Sequence, residues 1–203
     1  MQRTILPLIG LCLLLNASSG CQNAGDGEDH YQWIDIVDRL SWGIDLPEGW
    51  TPMSDDDLQR LRDNEAKRVA ALPGPDETKA WRPVYGLTKD GSTLLVVAKK
   101  KNELEQQDYP AALEKRFGDT ERYFSELVTL SKRGALSFGG QDFDYLRLTA
   151  YRESYQGEPV MWFHYYQRGK GPDLVGITVA ARSKPDEDTL LKLLSESTFR
   201  VRQ

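Results

Sequence analysis

Between residues 129 and 182 apolar side chains recur at every second position in four segments, 129–138, 142–153, 159–168 and 174–182. Each gap carries turn residues: Gly139-Gly140, Gln156-Gly157 and the run from Gly169 to Pro172. A period of two is the repeat of a strand, whose successive side chains point to opposite faces. Gaps this short join antiparallel neighbours, because a parallel crossover needs a dozen or more residues. The meander therefore commits the chain to an antiparallel sheet with two faces, and the remaining segments must cover them.

Those segments read as helices and strands. Ile34 to Leu46 is strand-like and leads into Asp45-Leu46-Pro47-Glu48-Gly49-Trp50, a turn punctuated by Pro and Gly that returns Trp50 to the core. Ser54, then Asp55, Asp56 and Asp57, precede Leu58, Leu61, Val69 and Leu72 at near-helical spacing, and Pro73-Gly74-Pro75 stops the pattern. Carboxylates in a first helical turn suit the macrodipole, and no EF-hand spacing or glycine follows them, so they are not read as a calcium site. Thr93 to Lys99 is an apolar run of the kind buried on both faces. Lys99-Lys100-Lys101 closes it as a solvated strand end. Asp108 to Leu130 is helical, with Pro110 near its start and an interruption expected at Gly118. Pro185 to Leu194 forms a closing helix with Asp186, Glu187 and Asp188 in its first turn. The order predicts one α+β domain over residues 31–203, an antiparallel sheet sandwiched by helices.

The N-terminus carries an address. Residues 1–20 hold one charge, Arg3, then an apolar run from Ile5 to Leu15, then Ala17-Ser18-Ser19-Gly20 before Cys21. This is the layout of a secretory signal peptide, and about eleven apolar residues are too few for a membrane-spanning helix, which needs roughly twenty. Ser18-Ser19-Gly20-Cys21 resembles the lipobox of bacterial lipoproteins, with Ser in place of the usual Leu three residues before the cysteine. The resemblance implies that Cys21 becomes the acylated N-terminus, carrying palmitate-type chains. The plainer alternative is an ordinary signal peptide followed by a free cysteine. Cys12 would leave with the signal. Gln22 to His30 holds no large apolar side chain and reads as a flexible tether over residues 21–30. By the same resemblance, Gln22 directs a Gram-negative lipoprotein to the outer membrane, facing the periplasm.

Charge and missing motifs exclude several activities. Of 26 basic and 31 acidic residues, removal of residues 1–20 takes away Arg3 alone, leaving 25 against 31 and a net charge of −6. An acidic chain with no long basic block is not expected to bind nucleic acid. With two histidines, His30 and His164, no zinc site of three imidazoles can be built from this domain. No Gly-x-Ser-x-Gly elbow, phosphate loop or dinucleotide fingerprint occurs. No catalytic residue, metal ligand or cofactor is assigned, and the chain is read as a non-enzymatic protein.

The binding candidate is a sheet face. Strand alternation places Leu146, Leu148 and Ala150 together, opposite Tyr145, Arg147, Thr149 and Tyr151; Met161, Phe163 and Tyr165 oppose Trp162, His164 and Tyr166. If the registers align, Tyr145, Arg147, Tyr151, Trp162, His164 and Tyr166 share one aromatic face, with room expected above Gly176 and Thr178. Such a surface suits a protein partner or a small ligand. The competing arrangement has the helices of 108–130 or 55–72 covering this face.

The motif from Trp42 to Trp50, the hairpin Gly139-Gly140-Gln141-Asp142-Phe143 and the last helix running into Ser195 to Phe199 resemble the PsbP/Mog-type sandwich. That fold is shared by photosystem PsbP proteins, the yeast Ran-binding Mog protein and DcrB-type bacterial lipoproteins. The resemblance spans roughly residues 40–200 and rests on turn glycines and core anchors. It implies an α/β/α sandwich and a protein that is not an enzyme. The expected function is a lipid-anchored envelope module that binds or helps assemble a protein partner. A small-ligand carrier using the aromatic face, or a hydrolase built on paired carboxylates, are the alternatives.

Overall fold

The computed structural model describes residues 31–37, 39–70, 80–125, 127–152 and 157–201. The signal and tether readings, Cys21 among them, and the helix stop at residues 73–75 lie outside these residues. Along the chain run β1 (Tyr31–Val37), β2 (Leu40–Asp45), β3 (Thr51–Pro52), α1 (Asp55–Ala70), β4 (Arg82–Lys89) and β5 (Ser92–Lys100). Then come α2 (Glu103–Gln107), α3 (Tyr109–Tyr123), β6 (Val128–Phe138), β7 (Gln141–Tyr151), β8 (Pro159–Arg168), β9 (Asp173–Ala181), α4 (Lys184–Glu196) and β10 (Thr198–Val201).

A seven-stranded antiparallel sheet, ordered β3-β4-β5-β9-β8-β7-β6, forms the middle layer. The meander supplies one half, and the β4–β5 hairpin joins it through β5 against β9. One face packs Leu95, Val97, Leu146, Leu148, Phe163 and Tyr165 against Leu58 and Leu61 of α1 and Leu113 and Phe117 of α3. The other packs Leu94, Val96, Phe143, Tyr166, Ile177 and Val179 against Leu190, Leu193 and Leu194 of α4 and against Ile36, Trp42, Ile44 and Phe199 of a second sheet, ordered β1-β2-β10. The mixed α+β sandwich stands, with the small sheet sharing one outer layer with α4. Trp50 is buried in that layer, as its turn requires.

Local chemistry explains the boundaries. Gly139 and Gly140 both take positive φ, 57° and 76°, in the two-residue turn of the β6–β7 hairpin. A Cβ at Gly139 would lie 2.7 Å from Phe199, so β10 closes over this turn because the position has no side chain. Ser54 accepts the Asp57 N–H at the start of α1. Ser183 does the same for Asp186 at the start of α4, at 3.2 Å. Ser183→Ala is expected to lower stability by about 1 kcal/mol, the usual cost of a lost N-cap, as measured by urea unfolding.

Three expectations are corrected. Ile34 to Leu46 is two strands, because β1 and β2 pair antiparallel, Ile34 opposite Trp42. Gly118 does not interrupt α3, which runs unbroken to Tyr123; burial of Leu113 and Phe117 offsets a helical glycine's cost of about 1 kcal/mol. The break falls instead at Asp108, which ends α2 and caps α3 by accepting the Ala111 N–H. Lys99 is not solvated: alternation turns it onto the α3 face, where its side chain is 5% exposed and meets Glu105. β4 and β10 carry no alternation strong enough to have been predicted.

Candidate functional site

The six residues of the aromatic face lie on one side of the large sheet in adjoining cross-strand rows. Gly134, Tyr145, Tyr166 and Ile177 form one row; Lys132, Arg147, His164 and Val179 the next; Leu130, Thr149, Trp162 and Ala181 the third. Tyr151, opposite Pro159, stands at the rim.

Cover over these rows is graded. Tyr145, His164 and Tyr166 are buried beneath α4 and the small sheet. Arg147, Tyr151 and Trp162 are half-buried, and beside them Leu130 is 49% and Val160 38% exposed. The face is thus half core and half open corner. The helices expected to cover it, α1 and α3, pack on the opposite face. Gly176 and Thr178 also belong to that opposite face, since Gln167 pairs with Gly176 and Tyr165 with Thr178. Antiparallel partners share a side, and alternation counted within β9 alone does not reveal which side that is. Gly176 offers no room either: an added Cβ would meet Val97, Tyr165 and Trp81.

His164 is held by α4. Its Nε2 lies 2.6 Å from Glu187 Oε1, and its Nδ1 lies 3.3 Å from the Tyr166 hydroxyl. A carboxylate accepts but does not donate, so Nε2 carries the proton and Nδ1 accepts from Tyr166. Lys184 donates to the other Glu187 oxygen at 2.7 Å. Burial pushes the His164 pKa down to about 4, against the opposing pull of Glu187. Burial likewise pushes the Tyr166 hydroxyl up to about 12. At neutral pH the imidazole is uncharged and enclosed, which suits a structural role and not that of a solvent-accessible base.

Arg147 differs. Its guanidinium stacks on Tyr145 at 4.7 Å and Tyr166 at 5.9 Å. Its buried Nε has no hydrogen-bond partner, and no ion pair to a carboxylate is made by Arg147 among the described residues. A cation on an aromatic platform at the edge of an exposed apolar corner can receive a carboxylate or carbonyl from outside.

A second polar cluster escaped sequence reading. Glu105 of α2 accepts from Lys99 at 2.7 Å and pairs with Arg116 of α3, which also donates to Gln167. Lys99 and Arg116 both lie over the Trp81 ring, at 5.4 and 5.2 Å. Burial alone would raise the Glu105 carboxyl. Hydrogen bonds from Lys99 and the Asn102 N–H, with the charges of Lys99 and Arg116, hold it below the ordinary range instead. A charged residue following a turn was the available signal; that α2 folds back over β5 is not written in its five residues.

Other buried carboxylates are similarly engaged. Glu65 accepts the Trp81 N–H at 3.0 Å, and Asp186 accepts the Ser92 hydroxyl at 2.9 Å. No group of three or more His, Cys, Asp or Glu able to hold a metal ion occurs among the described residues. A half-open cleft of about 180 Å3, lined by Val37, Arg82, Ala98, Lys100 and Asp173 among others, includes none of the six aromatic-face residues.

No family model matches the chain, and no curated protein matches it by sequence. Among solved structures it is similar to the solution structure of cyanobacterial PsbP (CyanoP) from Synechocystis sp. PCC 6803. That likeness has a TM-score of 0.50 and 14% sequence identity, covering 91% of this chain and 98% of that one. At such identity the likeness concerns the fold, which is PsbP-like.

Proposed function

We propose that this chain is a lipid-anchored protein of the bacterial cell envelope, held in the outer membrane through acylated Cys21, whose periplasmic domain binds or helps assemble another envelope protein without catalysing a reaction. The observation that carries the binding role is the open corner of the large sheet. Arg147, with an unpartnered buried Nε, stands beside half-buried Trp162 and Tyr151 and exposed Leu130 and Val160. Tryptophan and arginine next to an apolar rim are the residue types that dominate protein–protein contacts. The PsbP-like fold supports a non-enzymatic reading, and the lipobox resemblance at residues 18–21 supports the anchor.

A photo-crosslinking residue at Val160 should give one discrete adduct in envelope preparations, lost when Trp162→Ala or Arg147→Ala is added. The same residue at Lys192, exposed on the outer side of α4, should give none. Uniform background at both positions would count against the binding role. For the anchor, Cys21→Ser should move the chain from the membrane to the soluble fraction; a variant still membrane-bound would overturn acylation at this position. The small-ligand alternative is less well supported, because Tyr145, His164 and Tyr166 are packed beneath α4 and the 180 Å3 cleft lies elsewhere and is smaller than usual ligand pockets, which start at roughly 300 Å3.

A further inference from the structure

The outer face of the small sheet carries an ordered aromatic plate at the point where the described chain begins. Tyr31 and Trp33 of β1 are 43% and 42% exposed, and their rings meet edge to face at 5.6 Å. Trp33 pairs across the sheet with Gly43, and the Tyr31 ring lies in the space a Cβ at Gly43 would fill. On the other side the Arg200 guanidinium of β10 stands 4.2 Å from the Trp33 ring. Tyr31 and Trp33 thus lie along β1, and Arg200 reaches the Trp33 ring from β10 across β2, the group fixed by a glycine and by stacking. An exposed carboxylate, Asp45, shares the face opposite Tyr31, and Asp35, two residues past Trp33, accepts the Ser41 hydroxyl at 2.6 Å.

None of this serves the core, since the inward residues of the same strands, Ile36, Trp42, Ile44 and Phe199, do that. Tyrosine and tryptophan in such a setting have the character of membrane-interface anchors, apolar in body and polar at the tip. Chain length favours the same occupant. Nine residues lie between Cys21 and Tyr31, and the ten Cα–Cα steps that join them span at most about 35 Å in any conformation. If Cys21 is acylated, β1 is the part of the domain closest along the chain to the bilayer.

We propose that the Tyr31–Trp33–Arg200 plate docks on the interfacial layer of the membrane that holds Cys21, and that it takes zwitterionic headgroups. Arg200 meets the phosphate, Asp45 meets the amine, and the two rings enter the interface. The mixed signs on this face select against an anionic surface, as does the net charge of −6 over residues 21–203, 25 basic against 31 acidic. Docking orients the domain with its small sheet toward the lipid. The inference rests on the anchored reading, yet it can be tested apart from it.

Residues 21–203 contain a single cysteine, so the unacylated mature chain can be coupled through Cys21 to a maleimide lipid, which sets the tether whatever the cell does. In phosphatidylcholine–phosphatidylethanolamine vesicles with brominated acyl chains, the wild type should show a quenched tryptophan component that is absent from Trp33→Phe. Replacing half the lipid with phosphatidylglycerol should reduce that quenching at least twofold, and Arg200→Ala should reduce it on the zwitterionic vesicles. Equal quenching of wild type and Trp33→Phe would overturn docking. Undiminished quenching on the phosphatidylglycerol vesicles would overturn the headgroup assignment. Mass analysis of the native chain decides acylation separately: an unmodified Cys21 with positive quenching defeats the anchor and leaves the plate a lipid-binding surface.

Discussion

Replacing Glu105 with alanine is expected to lower the unfolding free energy by about 3–5 kcal/mol, the cost of removing one partner from a buried ion pair. Lys99, 5% exposed in its side chain, and Arg116, 20% exposed, both over the Trp81 ring, would lose the carboxylate oxygen they share. Domains of this kind are stable by about 5–15 kcal/mol, so a large share of the total would go. Urea unfolding at pH 7 reads the difference directly. Removing both members of the pair separates pairing from packing: Glu105→Leu with Lys99→Met should recover most of the loss, because apolar residues of similar volume replace buried pairs with little penalty. A cost below about 1 kcal/mol for Glu105→Ala would show that water reaches the cluster.

Acid should destabilise this fold through His164 before it protonates most carboxylates. In the folded chain the imidazole stays neutral down to about pH 4, whereas an exposed histidine titrates near 6.5. As pH falls between those values the unfolded state binds the additional proton, so stability falls with it. The loss approaches about 3 kcal/mol once both forms are protonated. Glu187 and Lys184 of α4 and Arg147 of β7 surround the ring; the carboxylate favours the charged imidazole, the two cations oppose it, and burial decides the balance. His164→Gln should flatten the stability profile between pH 6.5 and 4 relative to wild type. Parallel profiles for the two chains would show that the ring is not desolvated.

Much of this fold is legible because its elements are local. Gly139-Gly140, Gly169 to Pro172 and the alternation between them state where strands β6 to β9 begin and end. The acidic first turn of α4 is equally plain. The candidate face was legible as a set of alternate residues, because alternation within one strand needs no knowledge of its neighbours. Its cover was not. Whether Tyr166 and His164 are exposed depends on where α4 and β10 return from the end of the chain, and residues 184–201 read the same whichever face they reach.

The antiparallel meander, the α+β class and the absence of familiar catalytic motifs follow from the sequence by itself, for each depends on residues adjacent in the chain. The register that sends Gly176 and Thr178 away from His164 emerged only in the tertiary structure. So did the burial of Lys99 against Glu105, the division of one sheet face into core and open corner, and the Tyr31–Trp33–Arg200 plate. Each of these joins segments far apart in the chain, and strand alternation says which residues share a side without saying what will lie against it.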